Sequence, residues 1–407
     1  MHSTTARSVP TVFWVLLAAA GTFALTMGAR QSMGLFLGTL NSHTGLGIAS
    51  ISLAFAFGQL WWGLTQPLAG IVADRVGAGR VLFVGVLLVA LGTALVPFMQ
   101  STWGLILAIG VLAAGGAGMA GPSVLMAATT RLVPPERRGM ATGIVNAGGS
   151  FGQFVFAPIA QGVTAAAGWA ASLQTLAVVS LLALPAAWVL RGASNAPAAV
   201  GSAPKEGTRA AIARALADPS YRMLCAGFFV CGFHVAFIAT HLPGVVASCQ
   251  LPPEIGAWSL AVIGLFNIVG SLSMGWAVGR WRMKSLLSLV YAARAVAVLV
   301  FMLAPKTPAV MLTFAAVIGL TYLSTVPPTA GLVAKLFGPA NMATLFGIVM
   351  LAHQLGGFLG AYLGGKAFEW TGSYDWMWYV DIVLAVGAAL VHLPIREAAL
   401  APRPQAA

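Results

Sequence analysis

The first apolar segment of the chain, residues 12–40, contains an arginine at position 30 with apolar sequence on both sides (TMGARQSMGLFL). A charge at membrane depth costs roughly 2.5–3.5 kcal/mol or more, so it is mostly kept where it faces a polar cavity and has a function. A guanidinium binds a carboxylate through two parallel hydrogen bonds. Because no acidic residue lies nearby in sequence, Arg30 is expected to bind an anion. The alternative is a structural arginine bonded to carbonyls or glutamines of neighbouring helices.

Two further charges lie deep in apolar segments. Arg294 is near the middle of the ninth segment, and Asp381 is at comparable depth in the twelfth. A buried Arg294–Asp381 pair is the preferred interpretation, because removal of either partner would leave an unpaired buried charge. The alternative is that Arg294 contacts the ligand.

Three histidines are candidates for carrying a coupling proton, since an imidazole titrates near neutral pH. His234 and His241 lie two turns apart on one face of the seventh segment, and His353 lies in the eleventh. The alternative for each is a neutral histidine that is hydrogen-bonded inside the bundle.

Polar side chains in other apolar segments are expected to complete a ligand site around Arg30. Amides and hydroxyls also hold membrane helices together, so part of the set is expected to be structural. The candidates are Gln31, Gln59, Asn146, Asn267, Tyr322, His353 and Gln354.

The composition is that of a membrane protein. The 407 residues are 59% hydrophobic and 7% charged, with mean hydropathy +0.90, and a soluble protein could not cover its surface with so few charges. Runs of about 20 or more apolar residues each match the thickness of the hydrocarbon layer. There are twelve such runs, which predicts an all-α polytopic membrane protein. They cover about 12–40, 47–73, 80–99, 102–130, 139–166, 168–190, 222–249, 254–279, 284–304, 307–334, 341–367 and 374–395.

The net charge of +12 follows the predicted topology. With both termini inside, 17 of the 21 lysines and arginines fall on the cytoplasmic side, which is the positive-inside pattern. The basic residues therefore indicate orientation in a bacterial cytoplasmic membrane, and no nucleic-acid partner is expected. The N-terminus is expected to begin a retained first helix rather than a cleaved signal peptide.

The sequence predicts neither a metal site nor a cofactor. Cys225, Cys231 and Cys249 fit no metal-binding spacing, and an odd count gives no disulfide framework. No cluster of ligands and no catalytic constellation is found, so an enzyme is not expected.

The chain divides into two similar halves. Residues 1–191 hold six apolar segments, 192–220 form a polar linker with a short amphipathic helix, and 221–407 hold the other six. Short motifs recur at offsets of 202 to 205, for example Gly152 and Gly356. An internal duplication with a central cavity suits alternating access.

The segment GIVADRVGAGR, residues 70–80, resembles the loop signature of the major facilitator superfamily. The resemblance covers essentially the whole chain and implies twelve transmembrane helices in two six-helix halves. It implies that spans 1, 4, 7 and 10 line a cavity, and that the loop latches the cytoplasmic helix ends in the outward-facing state. The latch residues would be Gly70, Asp74, Arg75 and Arg80.

Two stretches, ARQSMGLFL and LAVIGLFNIVGSLSMG, look like the monocarboxylate and oxalate–formate transporter branch. Members of the monocarboxylate group carry an aspartate and, four residues on, an arginine in the eighth helix, which serve proton coupling and carboxylate binding. The matching positions are Asn267 and Ser271, so coupling through that pair is not carried over.

The resemblance and the buried arginine together predict a transporter of small organic anions, in particular monocarboxylates, acting as a monomer in the lipid bilayer. Coupling is left open between protons and anion exchange. The alternatives are a drug or metabolite exporter of the same fold, which would need a cavity-facing acid, and a transporter-like sensor.

Overall fold

The computed structural model describes residues 12–133, 138–191, 208–338 and 342–398, and within them the chain forms twelve helical spans. Spans 1 to 6 cover Val12–Thr44, Ile48–Val76, Ala78–Phe98, Thr102–Leu132, Arg138–Ala167 and Trp169–Val189. Spans 7 to 12 cover Pro219–Ser248, Pro253–Val278, Met283–Leu303, Pro308–Phe337, Met342–Thr371 and Asp375–His392. The predicted all-helical, twelve-span architecture is confirmed.

The surface of the described bundle suits a bilayer. Eleven spans are long and apolar enough to cross a membrane. Exposed aromatic side chains lie at both ends of the helices, where membrane–water interfaces favour them. Trp14, Trp188, Trp276 and Trp281 are exposed at the end where span 1 begins, and Phe98, Trp103, Trp370 and Trp376 are exposed at the other end. We call these ends the terminal face and the distal face.

Span 5 is the described span that is not among the eleven, although its 30 residues are long enough to cross a membrane. It carries many glycines and polar residues, because it packs between other helices. Gly152 lies against the backbone of Ala24 in span 1, and Ser150 accepts a hydrogen bond of 2.8 Å from Asn267 in span 8.

Close helix packing repeats in the two halves. Gly28 of span 1 packs against the Gly152 region of span 5, and Gly232 of span 7 packs against the backbone of His353 in span 11. Gly356 in turn lies on the carbonyl of Phe229. Because Gly28 and Gly232, like Gly152 and Gly356, are 204 residues apart, the same contact is built twice.

The two halves touch each other near the distal face and midway along the helices. Gly34 packs on the carbonyl of Ala239, and Gly365 packs on Ser52. Near the terminal face the described buried cores are separate. One core is built from residues between 15 and 190, and the other from residues between 215 and 395. The two six-helix halves therefore surround a central region and pack against each other on its distal side.

Spans 4 and 10 are interrupted at equivalent positions. Span 4 breaks before Pro122, and span 10 ends one helix at Thr321 and begins the next at Val326. Prolines at the start of the second segments, Pro122 and Pro327, cannot donate to the preceding turn. Interrupted helices at matching positions of two repeats are typical of transporter sites.

The linker expected over 192–220 is described only in part, because residues 192–207 lie outside the described residues. The predicted short helix is present as Thr208–Ala217. It ends where Asp218 caps span 7, with its side chain accepting from the Tyr221 backbone N–H at 3.1 Å.

The repeated glycine contact makes a testable prediction. Gly152→Ala is expected to lower stability by about 1–3 kcal/mol, because the new Cβ would lie closer than 3.0 Å to the Ala24 backbone. Gly162→Ala is the matched control on the same helix, where the Cβ meets open space. Thermal unfolding in detergent measures both, and equal melting temperatures would contradict the packing described here.

Candidate substrate site

Arg30 lies near the end of the first helical segment of span 1, which runs from Val12 to Gln31. The helix then tightens into a short 3₁₀ turn, Met33–Phe36. The Ser32 hydroxyl donates to the Gly28 carbonyl at 2.8 Å and satisfies one acceptor at this change of pitch. The arginine is half-buried and lies slightly past the middle of the span.

The guanidinium of Arg30 contacts two side chains of span 2. Its Nη2 donates to the Gln59 Oε1 at 2.5 Å, and its Cζ lies 4.9 Å from the centre of the Trp62 ring. Gln59 and Trp62 are three residues apart, so one face of the helix presents both. Within the described residues, the recorded partners of Arg30 are thus a neutral amide and an indole ring.

A cavity of about 530 Å³ opens beside Arg30. Arg30 is the one charged side chain among the described residues that line it. Gln31 and Gln59 supply amides, and Thr93 and Thr240 supply hydroxyls. The remaining walls are mostly apolar and small: Met33, Gly34, Phe55, Gly58, Val89, Ile109, Ala113, Ala114 and Ala239.

Thr93 and Thr240 are lining residues that the sequence analysis missed. The Thr93 hydroxyl is buried without a hydrogen-bond partner, which is costly unless a ligand or water meets it. Thr240 belongs to the second half of the chain, so the cavity reaches across the boundary between the halves. Threonines are frequent in membrane helices as backbone-bonded residues, and nothing in the sequence around these two sets them apart.

Asn267 lies at the boundary between the halves. Its side chain is buried and hydrogen-bonded to neighbouring residues. Its Nδ2 donates to the Ser150 hydroxyl, and its Oδ1 accepts from the Leu323 N–H at 3.0 Å and from the Ser271 hydroxyl at 3.3 Å. The amide therefore ties span 5 to the interruption in span 10. It does not line the cavity beside Arg30.

Tyr322 lies at that interruption and is 1% exposed. Its hydroxyl donates to the Val235 carbonyl at 3.0 Å, so the phenol is bonded to span 7. It is not a lining residue of the cavity beside Arg30.

Gln354 and His353 are buried in span 11. Gln354 packs against Gly63 of span 2, and its Nε2 has no hydrogen-bond partner. His353 packs against the ring of Phe228, with centroids 4.9 Å apart, and its Nδ1 is also unpaired. Neither lines the cavity. Asn146 is exposed toward the terminal face of span 5, one turn from Ser150.

The two histidines of span 7 also lie away from the Arg30 cavity. The His241 Nε2 is 2.7 Å from the Ala361 carbonyl, so this residue holds spans 7 and 11 together. His234 faces span 12, with its Nε2 3.5 Å from the Asp381 Oδ1.

The direct Arg294–Asp381 ion pair predicted from sequence is wrong. The Arg294 Nη2 instead donates to the carbonyls of Thr321 and Tyr322 and lies 3.7 Å from the Cys231 sulfur. These carbonyls end the first helix of span 10, where acceptors lack intrahelical partners. The arginine is therefore a cap for the broken helix, and His234 is the neighbour of Asp381 within ion-pair distance.

The predicted latch lies at the terminal face. Arg75 and Arg80 are exposed, and the Arg80 Nη1 donates to the Val76 carbonyl at 3.4 Å. Gly70 has open space beside it. The side chain of Asp74 lies outside the described residues, so the latch stays a prediction.

The fold and the interrupted spans define a transporter of the two-halved, twelve-helix class, and comparison with known proteins identifies the family. The model of the Major Facilitator Superfamily matches residues 18–361 and, in a second match, residues 224–406. The chain belongs to the major facilitator superfamily. The resemblance seen in the sequence is confirmed, and the protein is a transporter rather than an enzyme.

Individual relatives agree with this assignment. The chain is 24% identical to the uncharacterised MFS-type transporter YcxA of Bacillus subtilis (strain 168), over 95% of this chain and 96% of that protein. It is 26% identical to monocarboxylate transporter 13 of Rattus norvegicus, over 93% and 88% of the two chains. The crystal structure of a bacterial homolog of the human lysosomal transporter Spinster, inward-facing and occupied, shares the fold. Its TM-score is 0.75 at 15% identity, with 95% and 97% of the two chains covered.

The role of Arg294 as a helix cap makes a testable prediction. Arg294→Gln is expected to destabilise the protein by about 3–5 kcal/mol, because buried carbonyls lose a charged donor and Asp381 loses the nearby cation. Arg209→Gln is the control, since Arg209 is exposed on the short helix Thr208–Ala217 and such changes stay within about 0.5 kcal/mol. Thermal unfolding in detergent separates them. Unchanged stability of Arg294→Gln would rule out the capping role.

Proposed function

We propose that this protein is a secondary transporter of small organic anions, above all monocarboxylates, and that Arg30 binds the carboxylate. The observation that carries the proposal is the environment of Arg30. Its positive charge borders a cavity midway through the bundle, and its described partners are neutral. A buried cation without a counterion favours an anionic ligand, because the ligand supplies the missing charge.

The cavity lining favours one carboxylate and a short apolar body. A carboxylate would take the Arg30 N–H groups now used by Gln59 and could also accept from Thr93 and Thr240. The walls from Phe55, Val89 and Ile109 suit an alkyl chain. A dicarboxylate would bring a second charge to a cavity with a single lining cation, so monocarboxylates are expected to be preferred.

Trp62 and Gln59 are proposed to hold the guanidinium ready for the ligand. The indole ring lies under the cation, which stabilises the charge without neutralising it. The Gln59 oxygen is a neutral acceptor that a carboxylate can replace at a gain, because a charge-assisted hydrogen bond is stronger than a neutral one.

Transport is proposed to follow alternating access. The halves meet near the distal face and midway, while their buried cores are separate toward the terminal face. Rocking of the halves would exchange these contacts and open the site to the other side. Anion binding cancels the Arg30 charge, and this change favours the occluded state that carries the substrate across.

We further propose that the terminal face is cytoplasmic and that the protein acts as a monomer in the bacterial cytoplasmic membrane. The support is the positive-inside distribution of lysine and arginine. Both halves that border the cavity belong to one chain. Coupling at the usual eighth-helix pair is not proposed, because Asn267 and Ser271 are neutral and bond to each other.

Uptake of labelled monocarboxylates into proteoliposomes tests the proposal. Arg30→Gln is expected to reduce uptake by about 10- to 100-fold, since loss of a charged hydrogen-bonding group costs about 1.5–3 kcal/mol. Arg30→Lys keeps the charge but loses the bidentate geometry of the guanidinium. Its uptake is expected to lie between those of the wild type and Arg30→Gln. Arg280→Gln serves as the control for the loss of one positive charge away from the cavity.

Normal uptake by Arg30→Gln would contradict the role of Arg30. Failure of the wild-type protein to carry any acid would overturn anion transport and favour the exporter alternative. Uptake only by vesicles preloaded with anion would identify exchange, and stimulation by an inward proton gradient would identify symport.

A further inference from the structure

A second, smaller cavity of about 250 Å³ lies in the C-terminal half. A histidine, an arginine and an aspartate border it: His234 from span 7, Arg294 from span 9 and Asp381 from span 12. Tyr322 from the interrupted span 10 and the apolar residues Val235, Ile238, Val298 and Ile318 complete the lining. This cavity is separate from the one beside Arg30.

The internal duplication relates the two cavities. His234 lies 204 residues after Arg30, the offset that also relates the helix-packing glycines. Three further lining positions of the Arg30 cavity match lining positions of the second cavity at this offset. These pairs are Gln31 and Val235, Gly34 and Ile238, and Ala114 and Ile318. The second cavity is therefore the counterpart of the proposed substrate cavity, with a different set of charges.

Three polar atoms at this cavity are buried without hydrogen-bond partners: the His234 Nε2, the Asp381 Oδ1 and the Arg294 Nη1. The residues are 4%, 1% and 3% exposed. The His234 Nε2 and the Asp381 Oδ1 face each other at 3.5 Å. Unpaired buried groups carry a large free-energy cost, so they are kept where a function requires them.

Other titratable groups surround the cluster. On the same and neighbouring spans they are Cys231 of span 7, Tyr291 of span 9, Tyr322 of span 10 and His353 of span 11. Three of them are held by hydrogen bonds. Tyr291 and Tyr322 donate to the carbonyls of Gly227 and Val235, and Cys231 contacts the Thr325 hydroxyl at 3.1 Å. His234 and Asp381 are the pair whose facing atoms lack such partners.

We infer that His234 and Asp381 form the proton-binding site of this transporter, with the proton held between the His234 Nε2 and the Asp381 Oδ1. The inference rests on the proposed anion transport and supplies its coupling ion. Among the described residues, no group of three or more His, Cys, Asp or Glu side chains is placed to hold a metal ion. A single proton satisfies both facing atoms in one hydrogen bond.

The buried charges explain why the proton and the anion would travel together. In the empty protein, Arg30 contributes one positive charge, while Arg294 and Asp381 cancel each other beside neutral His234. A bound monocarboxylate removes the charge at Arg30, and a bound proton adds one to the His234–Asp381 pair. The fully loaded protein therefore buries the same net charge as the empty one. A proton bound without the anion would raise this net charge to two, which is costly at membrane depth, so anion binding favours proton binding.

The interrupted span 10 connects the proton site with the anion site. Arg294 lies beside His234 and Asp381 and donates to the carbonyls that end the first helix of this span. The carbonyl of Tyr322 takes one of these bonds, and the N–H of the next residue, Leu323, donates to Asn267, which in turn bonds Ser150 of the N-terminal half. A proton on the His234–Asp381 pair would weaken the attraction between Asp381 and Arg294 and so shift the balance between this attraction and the hydrogen bonds of Arg294 to the break. Proton binding is thereby linked to the shape of a helix between the two sites.

Gradient-driven accumulation in proteoliposomes tests the inference. An inward gradient of one pH unit can drive at most about tenfold accumulation of an anion carried with one proton. The wild type is expected to approach this ratio. His234→Gln and Asp381→Asn are expected to accumulate no more than without a gradient while still exchanging internal for external anion. His43→Gln, an exposed histidine at the distal face, is the control and should accumulate like the wild type.

The outcomes separate the inference from the proposed function. Loss of exchange in Arg30→Gln tests anion binding, whereas the two neutral variants test proton coupling alone. Accumulation at the wild-type ratio by folded His234→Gln and Asp381→Asn overturns the inference. Wild-type accumulation that ignores the proton gradient overturns it as well, and leaves anion exchange intact.

A measurement on the wild type covers the case in which the neutral variants fail to fold. Infrared difference spectra of the purified protein, recorded over a pH series, are expected to show a band of the buried Asp381 carboxyl group that changes with pH. Asp381→Glu, which keeps the carboxyl group, should retain a shifted band. A spectrum without such a band overturns the proton site.

Discussion

A guanidinium in the hydrocarbon layer has no water around it, so the protein or a ligand must supply every acceptor that the charge needs. The two buried arginines meet this constraint differently. Arg294 is surrounded by backbone carbonyls, a thiol and a nearby carboxylate at the end of a broken helix. Arg30 has a neutral amide and an aromatic ring beside a cavity that reaches both halves. The first environment is that of a structural cap, and the second holds no anionic partner for the charge among the described residues.

The duplicated architecture places a cavity beside the first helix of each half, and the two cavities carry different charged side chains. Where the N-terminal half places Arg30, the C-terminal half places His234. The glycine contacts that position these helices are the same in both halves. A scaffold repeated in this way keeps the two sites at matching depth while leaving their chemistry free to differ. Such an arrangement suits a carrier that must bind two unlike ligands and expose them together.

Much of the fold could be predicted from sequence, because long apolar runs and prolines act locally. The lengths of the apolar runs located the spans. They located span 5 as well, although its glycines and amides reduce its apolar character. Lateral contacts could not be predicted in the same way. The Arg294 side chain donates to the carbonyls of span 10. His234 is therefore the residue that lies within ion-pair distance of Asp381.

The candidate site could be predicted only in part, because the sequence shows polar residues within apolar spans but not their lateral contacts. Arg30, Gln31 and Gln59 do come together at one cavity, since two of them are adjacent in sequence and their polarity is conspicuous in apolar spans. Asn267 is also polar, but its side-chain amide forms a hydrogen bond between the two halves. Thr93 and Thr240 reach the cavity only through tertiary packing.

The central claim is that a carboxylate occupies the space beside Arg30. A structure determined with a bromine-labelled short monocarboxylate, using the anomalous signal of bromine, tests it directly. The account predicts that the carboxylate lies within hydrogen-bond distance of the Arg30 guanidinium and that the labelled end faces the apolar wall formed by Phe55, Val89 and Ile109. A fully occupied anion bound elsewhere in the bundle, with Arg30 still paired to Gln59, would contradict it.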